Sequence, residues 1–184
     1  MGHILKKNFD KQVKVKKNSK RSKKMRVYNI DNELKEKFCR NLNYKYQLIF
    51  RLGNCTGLRI SDIVKLEKRI LDIKNPTIRE QKTGKPNRIY IPVKLRKELK
   101  EYSQYNDKYI FESNSQSGHI TRQAVWKHFK TVARKLHIDI NIGTHTMRKN
   151  RAHELQLKGK GYKYIKNKLN HDNLADTLLY LMNE

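Results

Sequence analysis

The chain has 184 residues, enough for one domain with a true core or one domain plus an arm. Its 43 Lys and Arg against 17 Asp and Glu leave a formal charge of +26, a self-repulsion that calls for a polyanionic partner, nucleic acid first and an acidic membrane surface second. No apolar run approaches the ~18 residues of a spanning helix, no signal-peptide core follows the start, and two cysteines, Cys39 and Cys55, provide no metal or disulfide framework, so a cytoplasmic protein without a membrane span is expected.

Residues 1–26 carry eleven Lys and Arg against one acid and show almost no hydrophobic periodicity. They read as a disordered basic arm, which suits a solvated linker and a DNA-tracking segment equally. The ordered domain is expected over 27–184. "NIDNELKEKFCRNL" turns helical, with Asn29, Asp31 or Asn32 as N-cap; "NYKYQLIFRLGNC" is a second helix, broken at Gly57, with a short helix restarting near Ile60.

Next the period changes. "RILDI", "PTIREQ" and "RIYIP" are β-like runs, the last two joined by the turn-rich "KTGKPN", which predicts a small three-stranded antiparallel sheet within 69–92. A helix follows from about Val93 to Ser103, then a Ser/Asn/Gly-rich loop. "ITRQAVWKHFKTVARKLHI" is the most strongly amphipathic segment: Val125, Phe129, Val132 and Leu136 share one side, while Gln123, Lys127, Lys130 and Arg134 share the other. That outer face, with Arg122, is a candidate DNA contact, and a solvated face is its plainer reading. Helices at about 144–158, 162–169 and 173–182 complete a mainly helical α+β fold.

"GTHTMRKN" opens the first of these last helices, and Met147, Ala152 and Leu155 mark its apolar arc. Arg148 falls inside that arc, with His145 at its edge. A buried guanidinium needs an anion, supplied either by a carboxylate, with Asp172 and Asp176 as candidates, or by a ligand docked at the helix N-terminus. His-x-x-Arg is weak evidence alone. Here it is accompanied by Arg59 in "TGLRISDIVKL", Lys82 in "QKTGKPNRIYIP", and His171 nine residues before Tyr180 in "LNHDNLADTLLYL".

In this order, from about Ile30 to the end, the motifs resemble the catalytic domain of the tyrosine recombinases of the phage-integrase family. Matched position by position, Arg59 resembles the family's first arginine, Lys82 its hairpin lysine, His145 and Arg148 its His-x-x-Arg pair, His171 its third-box His or Trp, and Tyr180 its nucleophile. The resemblance implies site-specific cutting and rejoining of duplex DNA through a phosphotyrosine, with no metal or other cofactor. It also implies a homotetramer on DNA, compatible with a monomer in solution. Alternatives are a catalytically inactive DNA-binding regulator of the same fold and a type IB topoisomerase-like relaxing enzyme.

The arginines are expected to bind phosphate oxygens through forked, charge-assisted bonds, free of acidic side chains. Asp62 is read as a support for Arg59, and Lys85 and Arg88 as further candidate phosphate contacts. In "NLADTLLYLMN" a stripe of Leu174, Leu178 and Leu181 is expected inward, with Tyr180 set off from it. Two departures stand out: Asn170 occupies a position where many relatives have Gly, and a core-binding domain of the family's kind is expected to be absent ahead of the catalytic region.

Overall fold

A computed structural model describes residues 29–182; the basic arm lies outside the described residues. Helix α1 (Asn32–Arg40) starts at Asp31, whose side chain accepts the Leu34 N–H at 2.7 Å, so the second of the three candidate caps is the one used. Helix α2 (Tyr44–Thr56) ends at Gly57 in the left-handed region (φ 72°) and α3 (Ile60–Ile63) follows. A Cβ at Gly57 would stand 2.7 Å from Leu169 Cδ2, so the position requires glycine on both conformational and steric grounds.

The middle of the chain departs from expectation in one element. "RILDI" is a 3₁₀ turn (Lys68–Asp72) and not a strand, because two consecutive side chains, Ile70 and Leu71, turn inward while Ile73 stays exposed, a spacing that a period-2 strand cannot provide. The sheet is therefore a two-stranded hairpin, β1 (Thr77–Arg79) against β2 (Pro86–Arg88), with Ile78 opposite Asn87. Beyond β2 the alternation persists, Ile89 and Ile91 buried around an exposed Tyr90.

Helices α4 (Val93–Tyr102), α5 (Arg122–Lys135), α6 (Thr146–Leu157), α7 (Tyr162–Lys168) and α8 (Leu174–Leu181) occupy the expected stretches. The main core centres on Phe38, Phe50 and Phe129, from α1, α2 and α5, packed edge to face with ring centroids 5.3 to 5.7 Å apart. Helix α6 lies along α2 at a close approach: a Cβ on Gly53 would meet Met147 Sδ at 2.3 Å. A second, smaller core of Ala152, Leu155, Ile165 and Leu169 joins α6 to α7, with Tyr180 and Leu181 of α8 packed against it. This arrangement suspends the last helix over the N-terminus of α6, where His145 and Arg148 lie.

Candidate active site

Arg148 is 1% exposed and ranks among the largest buried side chains of the protein. Its partners are not Asp172 or Asp176. Nη1 donates to the Gly57 carbonyl at 2.5 Å and Nη2 to the Leu169 carbonyl at 2.7 Å. Gly57 and Leu169 cap the C-terminal ends of α2 and α7, where unpaired carbonyls concentrate partial negative charge. Two helix ends therefore hold the guanidinium without a counter-charge, and among the described residues no carboxylate forms an ion pair with it. Burial pushes its pKa down, opposed first by the adjoining Tyr180 phenol.

Arg59 departs from the expectation. At the turn before α3 its Nη1 forms an ion pair with Glu80, whose side chain has no exposed surface. The Glu80 carboxylate also accepts Asn87 Nδ2 at 2.6 Å and Asn170 Nδ2 at 2.9 Å. Asp62 does not pair with Arg59: Oδ1 accepts the Gln81 N–H at 2.9 Å, fastening the hairpin to α3, and burial raises the pKa of its carboxyl. Sequence reasoning overlooked Glu80, although the signal was the one that singled out Arg148. In "PTIREQ" the inward phase runs Pro76, Ile78, Glu80, placing a charge where an apolar residue belongs.

The two histidines differ. His145 precedes α6, with Nδ1 3.2 Å from the Tyr180 hydroxyl. The residue is exposed as a whole, yet the desolvation its ring does undergo, followed by the charges of Arg148, Arg59, Lys82 and Lys149, lowers its pKa. His171 is buried, its Nδ1 2.9 Å from Thr177 Oγ1 and its Nε2 without a hydrogen-bond partner among the described residues. Burial, then Arg148 and Arg59, bring its pKa down to about 3. Its ring stands edge-on to Tyr180 at 4.7 Å between centroids. In both rings the shift favours the neutral imidazole.

Tyr180 is half-buried, reached by His145 at the hydroxyl and His171 at the ring, with Lys149 Nζ 6.0 Å from the ring centroid. The expected leucine stripe holds in part: Leu178 and Leu181 are half-buried, but Leu174 is 44% exposed, and the fully buried residue of α8 is Thr177, held by His171. Lys82 lies exposed in the hairpin turn, close enough that its charge lowers the pKa of both His145 and His171. Asn170 adopts a left-handed backbone (φ 48°), the conformation that glycine would take there, and asparagine tolerates it better than most residues.

The six residues singled out from the sequence thus converge on one cleft between the α2–α3 turn, the hairpin and α6 to α8. Among the further candidates, Arg122, Gln123, Lys127 and Arg134 are exposed on α5, whereas Lys130 is half-buried and bonded to Asn141 Oδ1. Lys85 pairs with Asp172 at 2.9 Å, fastening the hairpin to the turn that carries His171, and the Arg88 carbonyl accepts Lys168 Nζ at 2.6 Å, fastening it to the end of α7. Among the described residues no helix is long and apolar enough to cross a membrane, and no cluster of His, Cys, Asp or Glu is arranged to hold a metal ion.

The Phage integrase family matches residues 27–184. The chain belongs to this family. It is 28% identical over 157 residues to a tyrosine recombinase of Thermosipho africanus, a match that covers 84% of this chain and 52% of that protein. It is 29% identical over 146 residues to the probable integrase/recombinase YoeC of Bacillus subtilis, covering 77% and 79% respectively. The fold matches that of a lambda integrase fragment (75–356), crystallised as a dimer bound to a core site, with a TM-score of 0.69 at 15% identity over 85% of this chain and 59% of that one. The chain thus spans about half the length of the Thermosipho relative.

Proposed function

We propose that this chain cuts and rejoins duplex DNA at specific sites through a covalent bond between Tyr180 and a 3′ phosphate. One observation carries the reading: the Tyr180 hydroxyl lies 3.2 Å from His145 Nδ1, beside a buried guanidinium that the protein holds with carbonyls and leaves without a counter-anion. The family, and a lambda integrase neighbour captured on its core site, support DNA as the substrate.

The scissile phosphate would lie against Arg148 and Arg59, whose N–H groups meet the charge that develops on the non-bridging oxygens. Thr177 can donate its hydroxyl proton to His171 Nδ1, which leaves Nε2–H as a further donor to phosphate. His145, kept neutral by its surroundings, accepts the phenol proton as the Tyr180 oxygen attacks phosphorus. The bond from phosphorus to the 5′ oxygen breaks, and Lys82 supplies the proton to that leaving oxygen. Attack by a second strand's 5′ hydroxyl reverses the sequence, so the phosphodiester bond is conserved and no nucleotide is consumed. One chain cleaves one strand, which makes a tetramer on paired sites the working unit, with exposed Arg122, Gln123, Lys127 and Arg134 of α5 facing the duplex.

The test uses a nicked suicide duplex recovered from a random-sequence pool by covalent capture on the native protein. The native chain should yield an adduct that survives denaturation, and Tyr180→Phe should lose it while still binding the duplex. An adduct that persists in Tyr180→Phe refutes the assignment. Relaxation of plasmids that lack the selected sequence would point to the topoisomerase reading instead.

A further inference from the structure

We propose that Glu80 is a positioning residue for the cleavage reaction, a buried brace that holds Arg59 in register with the hairpin and with the turn carrying His171. The proposal rests on the recombinase reading above. The three donors to the Glu80 carboxylate come from three separate segments: Arg59 from the α2–α3 turn, Asn87 from β2, and Asn170 from the turn after α7. Each segment also supplies a residue of the cleft, namely Arg59 itself, Lys82 from the hairpin turn, and His171. One carboxylate therefore joins the parts whose relative placement sets the geometry of the pocket.

Stability alone does not account for this choice. A buried ion pair returns little net stability compared with apolar residues of similar size, so a fully buried charge needs another reason. Arg59 provides it. Its long side chain would otherwise sample many rotamers, and Glu80 fixes Nη1 while, among the described residues, no hydrogen bond engages Nη2 or Nε. The guanidinium is held from behind, with its remaining N–H groups free for phosphate. Asn170 gains a purpose from the same arrangement. Glycine would satisfy the left-handed backbone there, but only a side chain supplies the donor to Glu80.

Charge separates this role from simple structural support. Replacing Glu80 by a neutral isostere makes the cleft more cationic, so DNA affinity should hold or rise while cleavage slows; loss of folding would lower both. The variants are Glu80→Gln and Asn170→Gly, assayed on the captured suicide duplex by anisotropy for binding and by adduct formation at saturating DNA for rate. Glu80→Gln should cleave about tenfold more slowly with binding equal or tighter. Asn170→Gly, which keeps the backbone and removes one donor, should lose about threefold.

Cleavage within about twofold of the native rate in Glu80→Gln, or a parallel fall in binding and cleavage, overturns the proposal. If Glu80→Gln does not fold, Asn170→Gly decides, and an unchanged rate there overturns it. If the native protein captures no DNA, the recombinase reading fails instead, and the brace is judged without DNA from the Arg59 guanidinium ¹⁵N resonances. Resolved, slowly exchanging signals in the native chain that average out in Glu80→Gln support the brace; identical spectra refute it.

Discussion

Acidification should destabilise this protein through His171, and the size of the effect follows from its surroundings. The folded ring is buried beside Arg148 and Arg59, with Asp172 opposing them and Lys82 adding a smaller effect, and its pKa lies at about 3. In the unfolded chain the value returns to about 6.5. The folded pKa is thus depressed, so the unfolded state binds the proton first and stability rises with pH between the two values. The contribution is complete above the unfolded pKa and is lost progressively as pH falls below it. At about 1.4 kcal/mol per pH unit, moving from pH 7 to pH 5 should cost about 2 kcal/mol from this one ring. His145, His153 and His128, whose pKa values burial also lowers, act in the same direction.

Urea denaturation at pH 7, 6 and 5, compared between the native chain and His171→Trp, isolates the contribution of this ring. Indole cannot titrate in this range but keeps a ring N–H donor, so the variant should show a shallower fall, by about 2 kcal/mol between pH 7 and 5. Equal pH slopes in the two proteins would show that His171 is not held neutral by its environment and would refute the electrostatic account of the cleft.

Two other outcomes test different parts of the structure. Gly57→Ala places a Cβ against Leu169 Cδ2 on a backbone with φ 72° and should cost about 1 to 3 kcal/mol in urea denaturation, while disturbing the carbonyl that holds Arg148. Replacing Lys127 and Arg134 by alanine should weaken DNA binding across sequences and reduce the slope of log K against log salt by about 0.9 for each phosphate no longer neutralised. An unchanged slope in fluorescence anisotropy would assign these α5 side chains to the solvated face.

The helices were legible because their apolar residues recur with the helical period and because Asp31 and Gly57 mark ends. "RILDI" misled because β-branched and branched residues in a short run fit a strand, while the 3₁₀ turn is set by what lies opposite: Lys68 N–H bonds the Lys108 carbonyl and Ile110 N–H bonds the Leu66 carbonyl, long-range pairings without a local signature. Leu174 misled for a similar reason. A hydroxyl-to-imidazole bond between Thr177 and His171 sets the rotation of α8, and hydropathy cannot register it. The anomalous phase of Arg148 was visible, but its partners were not, since backbone carbonyls are independent of residue type.

The two arginines show two ways of keeping a cation inside a protein, and the difference suits a single phosphate. A guanidinium paired with a carboxylate is largely neutralised; one held by helix-end carbonyls keeps its full formal charge, as Arg148 does with a carbonyl on each of Nη1 and Nη2. Had both been paired with acids, an incoming phosphate would face two competing anions inside a poorly screened cleft. Had neither been paired, two unopposed guanidiniums would repel each other, a repulsion evident in the way the Arg59 charge lowers the pKa of Arg148. With Glu80 on Arg59 and carbonyls on Arg148, both guanidiniums are held and the site keeps an uncompensated positive charge at the position facing Tyr180. The covalent step proposed above falls for this reason to Tyr180, whose hydroxyl reaches into that uncompensated field with His145 Nδ1 3.2 Å away.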